Sequence, residues 1–120
     1  MEYGFDFELY EMVFKNCFIH SSTYPNGNLQ LSLFGKDPVL DQTAHFADIT
    51  LKQESKRLAN DEIIVDCKYK PSLIPQLIKL GILKTQIGIY AKNLCLYPIY
   101  KIDLDKVMEN KYQIHELVAA

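Results

Sequence analysis

Three cysteines and three histidines are the side chains of this sequence with the strongest nucleophilic and metal-binding chemistry. The cysteines, Cys17, Cys67 and Cys95, lie far apart and form no C-x-x-C pair. The histidines lack the spacing that brings two ligands to one metal ion, and no G-x-S-x-G turn marks a nucleophilic serine. These residues predict buried thiols in a reducing cytoplasm and no catalytic, metal or cofactor site.

Two pairs of aspartates are the next candidates for chemistry. Asp37 and Asp41 flank Pro38, a turn-forming residue, and Asp103 and Asp105 precede a short helical pattern in which acidic residues favour the helix dipole. We therefore expect turn and capping roles rather than acid–base catalysis. The chain is predicted not to be an enzyme.

Charge is distributed unevenly along the chain, although the net charge is only −2. Residues 1–14 contain acids and no base, whereas residues 67–102 contain lysines and no acid. Two candidate interaction surfaces follow from this division. The acidic one contains Asp6, Glu8 and Glu11, and the lysine–tyrosine set contains Lys68, Lys70, Tyr90, Lys92, Tyr97, Tyr100 and Lys101.

The two surfaces predict different partners. An acidic strand can present a DNA-like face to a basic protein. Interleaved lysines and tyrosines can bind single-stranded nucleic acid by phosphate contact and stacking, or they can anchor a protein interface. The same pattern also fits a sheet in which the tyrosines pack within the fold and the lysines lie on the solvent-exposed face. The single arginine, Arg57, argues against bidentate reading of phosphates or bases.

The clearest structural signal is the turn sequence Pro25-Asn26-Gly27, which predicts a β-hairpin. One geometry is a two-residue type I′ turn with Asn26 and Gly27 at positive φ. The other is a type I turn followed by a G1 bulge at Gly27, which we favour because it uses all three residues. The leucines at 29, 31 and 33 alternate with polar residues, so one face of this strand is expected to meet a core and the other water.

Alternation and turn residues predict seven strands, at about 5–11, 17–24, 28–34, 45–51, 63–65, 84–91 and 94–102, with the first turn at Lys15-Asn16. An apolar stripe with helical spacing, which includes Ile78, predicts one helix at about 72–80, and Gly81 suits the position after its end. Pro98 is expected to place the last strand at a sheet edge or to create a bulge. The predicted fold is therefore α+β, with an antiparallel sheet of about five to seven strands, the short helix on one face and a short C-terminal helix.

The length of 120 residues predicts a single domain, with an ordered core at about 4–108 and a loosely held tail at 110–120. No apolar run approaches the ~20 residues that span a bilayer, and the acidic start lacks the basic region of a signal peptide. We expect a cytoplasmic protein without a membrane partner. An edge strand at 94–102 would allow pairing with a second copy.

The sequence also resembles an uncharacterised bacterial family, one of the numbered domains of unknown function, over roughly residues 5–105. The resemblance rests on the hairpin motif Tyr24-x-Asn26-Gly27-Asn28-Leu29, the strand 47–51, Val65-Asp66 followed by the helix, and Tyr97-Pro98-Ile99-Tyr100. This chain departs from the family at Cys67-Lys68-Tyr69-Lys70, where Asn-Asn is usual, and in a 85–93 loop that is not rich in glycine and serine. The resemblance implies a small cytoplasmic protein carried on conjugative elements and phages, with no activity assigned.

Together these observations predict a non-enzymatic protein-interaction protein. The resemblance suggests a mobile-element or phage accessory factor, such as an inhibitor of a host defence nuclease of the anti-CRISPR kind, which would bind through the acidic strand. The alternative is a nucleic-acid-binding module that uses the lysine–tyrosine face of residues 68–101.

Overall fold

In the part of the chain that the structure describes, seven strands and two short helices follow one another in the predicted order. The computed structural model describes residues 4–36 and 42–111. The elements are β1 (Phe5–Leu9), β2 (Met12–Thr23), β3 (Leu29–Lys36), β4 (Thr43–Asp48), β5 (Glu62–Ile64), α1 (Leu73–Lys79), β6 (Leu83–Lys92), β7 (Cys95–Ile102) and α2 (Leu104–Glu109). The α+β class and the antiparallel pairing are confirmed. The strands form two sheets rather than one, in the orders β1-β2-β3-β4 and β5-β7-β6.

Some of the predictions concern residues outside the described ranges. The aspartate pair at 37 and 41 and most of the predicted tail, from 112 onward, belong to this group. The other aspartate pair lies within the described chain, and its predicted role is confirmed. The carboxylate of Asp103 caps α2 by accepting hydrogen bonds from the backbone N–H groups of Asp105 and Lys106.

The main hydrophobic core lies where the four-stranded sheet, α1 and one face of the three-stranded sheet meet. Leu9, Leu33, Ile63 and Leu77 are among its fully buried side chains. A second, smaller cluster contains Ile64, Tyr97 and Ile99 on the opposite face of the three-stranded sheet, where residues 51 and 58 of the long loop pack. Because both faces of β5 are covered, its neighbouring residues Ile63 and Ile64 are both apolar and do not alternate with polar residues.

The turn between β2 and β3 has the geometry that uses all three signal residues. The Gly27 N–H donates to the Tyr24 carbonyl at 2.8 Å, and Gly27 has a φ of 88°. Asn26 does not adopt a positive φ, so the type I′ alternative is excluded and the G1 bulge is confirmed.

The expectation that the polar face of β3 meets water is wrong at Asn28 and Ser32, which are both buried. The loop between β4 and β5 covers this face at Asn28, whereas the Ser32 hydroxyl donates to Asp48 Oδ1 at the end of β4. The side chain of Asn28 donates to the Lys56 carbonyl at 2.9 Å and accepts from the Leu58 N–H at 2.9 Å. Asn28 therefore holds the loop in place, because its amide supplies the hydrogen-bond partners that the Lys56 carbonyl and the Leu58 N–H would otherwise lack.

The first turn of the chain is not at Lys15-Asn16, as the sequence suggested. It lies at Tyr10-Glu11, and β2 continues through residue 16. Asn16 adopts a positive φ of 56° inside the strand, where the β1–β2 register shifts by one residue. The turn-like residues at 15 and 16 therefore form a β-bulge, which needs the same left-handed conformation as a turn.

The helix α1 buries only part of its predicted apolar stripe. Leu73 and Leu77 are fully buried, whereas Ile78 is 51% exposed, so its predicted burial is wrong. A seven-residue helix makes only two turns, and the two leucines four residues apart define its buried line. Gly81 follows the helix with a φ of 79°, as its position predicted.

The expectation that Pro98 marks an edge strand or a bulge is also wrong. β7 is the central strand of its sheet, with β5 on one side and β6 on the other, and both register shifts are on β6. The Pro98 carbonyl accepts a hydrogen bond from the Val65 N–H, just past the end of β5. Since the N–H and C=O of a strand residue point to the same side, the missing N–H of Pro98 lies where β5 has ended. The edge strands of this sheet are β5 and β6.

Candidate interaction surfaces

The predicted acidic residues lie together on the hairpin of β1 and β2. Asp6 and Glu8 are exposed on β1, and Glu11 is exposed in the turn. Exposed apolar side chains accompany them, with Tyr10 at 53%, Met12 at 59% and Val13 at 59% of their full exposure. We call this set of six residues the acidic hairpin. Within the described part of the chain, none of its three carboxylates forms an ion pair.

The helix α1 holds the acidic hairpin in place through the backbone of Glu8. The Glu8 N–H donates to Gln76 Oε1 at 2.7 Å, and Gln76 Nε2 donates to the Glu8 carbonyl at 2.5 Å. The Ser72 hydroxyl also donates to this carbonyl, at 2.6 Å. The glutamine amide thus hydrogen-bonds to the outer edge of β1 as a neighbouring strand would, and Glu8 has no free backbone group for another strand to pair with.

Several members of the lysine–tyrosine set have partners within the chain and are not free to bind a ligand. Lys70 is the first of them. This lysine is 9% exposed, and its ammonium donates to the carbonyls of Asp48 and Asp66 at 2.9 and 3.2 Å. Its ammonium also pairs with the Asp66 carboxylate at 3.4 Å. A buried lysine with these partners stabilises the fold and has no free head group to offer a ligand.

Two further lysines of the set also have intramolecular partners. The ammonium of Lys101 pairs with the carboxylates of Asp61 at 3.0 Å and Glu62 at 3.5 Å, and its hydrogen bond to Asp61 raises the pKa of Lys101. The ammonium of Lys92 donates to the Lys52 carbonyl at 2.8 Å. These bonds hold the long loop against the three-stranded sheet.

The tyrosines of the set are mostly covered, whereas Lys68 and Tyr69 are exposed. A side-chain hydrogen bond with Cys95, followed by charge interactions that include Tyr97, raises the pKa of Lys68. Tyr97 is buried, Tyr100 is half-buried against the main core, and the Tyr90 hydroxyl bonds to that of Ser55 at 2.5 Å. The Lys68 ammonium lies 5.2 Å from the ring centre of Tyr69, which is 81% exposed. The exposed part of the predicted lysine–tyrosine set therefore includes one cation–aromatic pair, Lys68 with Tyr69.

Sequence reasoning missed an aliphatic surface on the β6–β7 hairpin. Ile87, Ile89, Leu94 and Leu96 are 46%, 60%, 107% and 69% exposed, and we call the hairpin that carries them the aliphatic hairpin. Leu94 stands in the two-residue turn with a φ of 64°, which an exposed leucine adopts only at a cost. The available signal was the uncharged run at 85–91, which reads equally well as a buried strand.

The described chain shows little that resembles a reaction centre. Burial raises the pKa of the Cys17 thiol to about 12 and also raises the pKa of Cys67, so neither thiol is activated. An open groove of about 480 Å³ runs beside Tyr90, Lys92 and residues 52–55 of the loop. No group of three or more metal-binding side chains occurs within residues 4–36 and 42–111.

Comparisons with protein-family models, with curated proteins and with solved structures found no match. Across the described ranges, neither helix is long and apolar enough to cross a membrane.

Proposed function

We propose that this chain is a non-enzymatic protein-interaction protein that binds a basic protein surface through its acidic hairpin. One observation carries the proposal. Three exposed carboxylates, free of ion pairs within the described residues, stand beside the exposed side chains of Tyr10, Met12 and Val13.

The two kinds of side chain supply different parts of a binding energy. Carboxylates steer a basic partner toward the hairpin and suppress acidic partners, with an effect that weakens as salt increases. The tyrosine and methionine supply apolar contact area, and tyrosine is a common anchor of protein interfaces. Because Ser72 and Gln76 already fix the backbone at Glu8, less ordering is needed on binding, which favours affinity.

The partner class follows from the charge. A protein that binds nucleic acid carries a basic cleft, and a rigid acidic hairpin is complementary to such a cleft. In its specific form the proposal is an inhibitor of a host defence nuclease, encoded by a mobile element or phage. That context rests on the sequence resemblance, whereas the acidic hairpin carries the interaction.

Nucleic-acid binding through the lysine–tyrosine set is the alternative function. The carbonyl and carboxylate partners of Lys70, Lys92 and Lys101 weigh against it, because phosphate contact would have to break these bonds. Lys68 and Tyr69 remain for this role, and two residues are fewer than a single-strand groove uses.

The test is affinity capture from host lysate with nuclease treatment, using the wild type and a hairpin variant. The variant combines Asp6→Asn, Glu8→Gln and Glu11→Gln, which remove three negative charges without changing shape. The matched control combines Glu54→Gln, Asp105→Asn and Glu109→Gln, which remove the same charge from exposed positions elsewhere. We expect a discrete protein partner that survives nuclease, is retained by the control and is lost from the hairpin variant.

The affinity for that partner should fall at least tenfold in the hairpin variant, and more steeply at low salt than at high salt. Equal loss in both variants would indicate a response to net charge alone and would overturn the proposal. Capture of nucleic acid, or a partner that disappears with nuclease, would support the alternative instead.

A further inference from the structure

The outer edge of β6 is an open strand edge, and it differs in this from the edge of β1, to which Gln76 hydrogen-bonds. β7 pairs with one side of β6. Outside that ladder, no described residue hydrogen-bonds to the backbone of Ile89 or Ala91. Register shifts interrupt the strand at Lys84 and Ile87, so the regular part of the edge is residues 88–92.

The turn determines which backbone groups of this segment face outward. Lys92 and Cys95 flank the two-residue turn and form its closing pair, which in such hairpins exchanges both hydrogen bonds. Pairs then alternate along the strand, so Tyr90 bonds to β7, while the N–H and C=O groups of Ile89 and Ala91 point away from it. The position of Pro98 opposite Ile89 agrees, because a proline has no N–H to offer across that pair.

We propose that β6 pairs antiparallel with β6 of a second copy, with Ile89 of each copy opposite Ala91 of the other. This register makes a two-fold dimer in which each copy's two outward N–H groups meet the other copy's two outward carbonyls. The two three-stranded sheets become one six-stranded sheet, with the two Tyr90 residues facing each other at the axis. The proposal is independent of the acidic hairpin.

The chemistry of the segment favours a second copy as the occupant. Residues 85–91 contain no charged side chain, so two copies approach without like-charge repulsion. In this register Lys92 lies opposite Gly88 rather than another lysine, and its ammonium is already bonded to the Lys52 carbonyl. Ile89, which is 60% exposed, would cover the small side chain of Ala91 in the other copy.

The size of the contact determines how tightly the copies associate. A stable dimer buries about 1,200–2,000 Å² in total, and pairing of a five-residue strand edge buries less. We therefore expect reversible association whose extent changes with concentration between about 1 μM and about 1 mM.

The first test is sedimentation velocity over this concentration range with wild type, Ala91→Pro and Leu96→Thr. Proline at 91 removes an outward N–H and leaves the ladder with β7 intact, so it should weaken association at least tenfold. Leu96 lies on β7, away from the edge, and its threonine variant should associate as the wild type does. A wild type that is monomeric throughout would overturn the proposal, as would loss of association in Leu96→Thr but not in Ala91→Pro.

The second test measures the register and does not depend on the folding of the proline variant. Residues at 90 would form a non-hydrogen-bonded pair across the axis, with Cα atoms about 4.5 Å apart, which is within the range of a disulfide. Tyr90→Cys should therefore form a 90–90 crosslink under mild oxidation, located by peptide mass spectrometry. Gln86→Cys, beyond the register shift, should form none. Crosslinking at 86 but not at 90 would exclude this register.

Discussion

The acidic and aliphatic hairpins are closed by similar turns but relate differently to the rest of the molecule. Tyr10 and Glu11 have φ values of 52° and 62°, and Asn93 and Leu94 have 51° and 64°. In the acidic hairpin, one face of β1 is buried and α1 occupies its outer edge. In the aliphatic hairpin, the outer part of both strands exposes aliphatic side chains, and the edge of β6 has no such cover. A turn type therefore does not determine whether a hairpin belongs to the core or to a contact surface.

Both turns have non-glycine residues at positions of positive φ, where glycine would be less strained. A left-handed conformation costs a non-glycine residue about 1–2 kcal/mol, and residues of this kind concentrate at functional sites. Glu11 and Leu94 thus place a carboxylate and an aliphatic group at the two tips. The two proposed surfaces therefore differ in their turn residues as well as in their proposed partners, a basic protein for one and a second copy of the chain for the other.

The largest difference between the hairpins should appear when one leucine in each is truncated. Leu9 is fully buried, and Leu9→Ala should lower the free energy of unfolding by about 2–5 kcal/mol, because it leaves a cavity. Leu96 is 69% exposed, and Leu96→Ala should change it by about 0.5 kcal/mol or less. Urea denaturation at low protein concentration measures both. Equal losses would mean that Leu96 is covered in solution.

The second difference concerns alkaline pH and the thiol of Cys17, which lies on β2 behind the acidic hairpin. Burial, followed by the charge of Asp6, raises the pKa of this thiol from 9.0 to about 12. Between these values the unfolded chain has lost the proton that the folded chain retains, so stability falls as pH rises. From about pH 8 to about pH 10.5 the loss should be about 2 kcal/mol, at about 1.36 kcal/mol per pKa unit.

Cys17→Ser isolates this contribution, since its hydroxyl can keep the hydrogen bond that the thiol donates to the Phe14 carbonyl and does not titrate. The wild type should lose more stability than the variant over this pH interval, as measured by urea denaturation at each pH. Parallel pH profiles would contradict the burial of the thiol.

The smallest expected difference concerns the edges of the two hairpins. Gln76→Ala removes both hydrogen bonds to the Glu8 backbone and should lower the free energy of unfolding by about 1–2 kcal/mol. Gln86→Ala on β6 removes only one long contact, at 3.4 Å to the Gly88 carbonyl, and should change it by about 0.5 kcal/mol or less. Hydrogen exchange at the Glu8 amide should accelerate in Gln76→Ala alone. An unchanged exchange rate at the Glu8 amide would mean that Gln76 does not protect the outer edge of β1.

Much of the fold was predictable because its signals are local. The turn at Pro25-Asn26-Gly27, the alternation of β1 and the glycine after α1 depend on conformational preferences of neighbouring residues. The turn at Tyr10-Glu11 was missed because neither residue is a turn former. Asn16 was assigned to a turn because a bulge and a turn use the same left-handed conformation.

The candidate sites were predictable only in part. The exposed carboxylates of β1 follow from alternation, and the structure brings them together with Tyr10, Met12 and Val13. The intramolecular partners of Lys70, Lys92 and Lys101 could not be predicted, because these partners lie elsewhere in the sequence and contact the lysines only after folding. The amide of Gln76 reaches a strand edge 68 residues away in the sequence, a contact that no local pattern indicates.

The sequence by itself determined the order of the elements, the α+β class and the acidic character of β1, since these depend on periodicity and composition over a few residues. Only the tertiary structure decided how the strands divide between two sheets, which lysines are internally paired, and that β6 rather than β7 is the edge. Those outcomes depend on what packs beside each element, and local preferences do not encode contacts between distant segments.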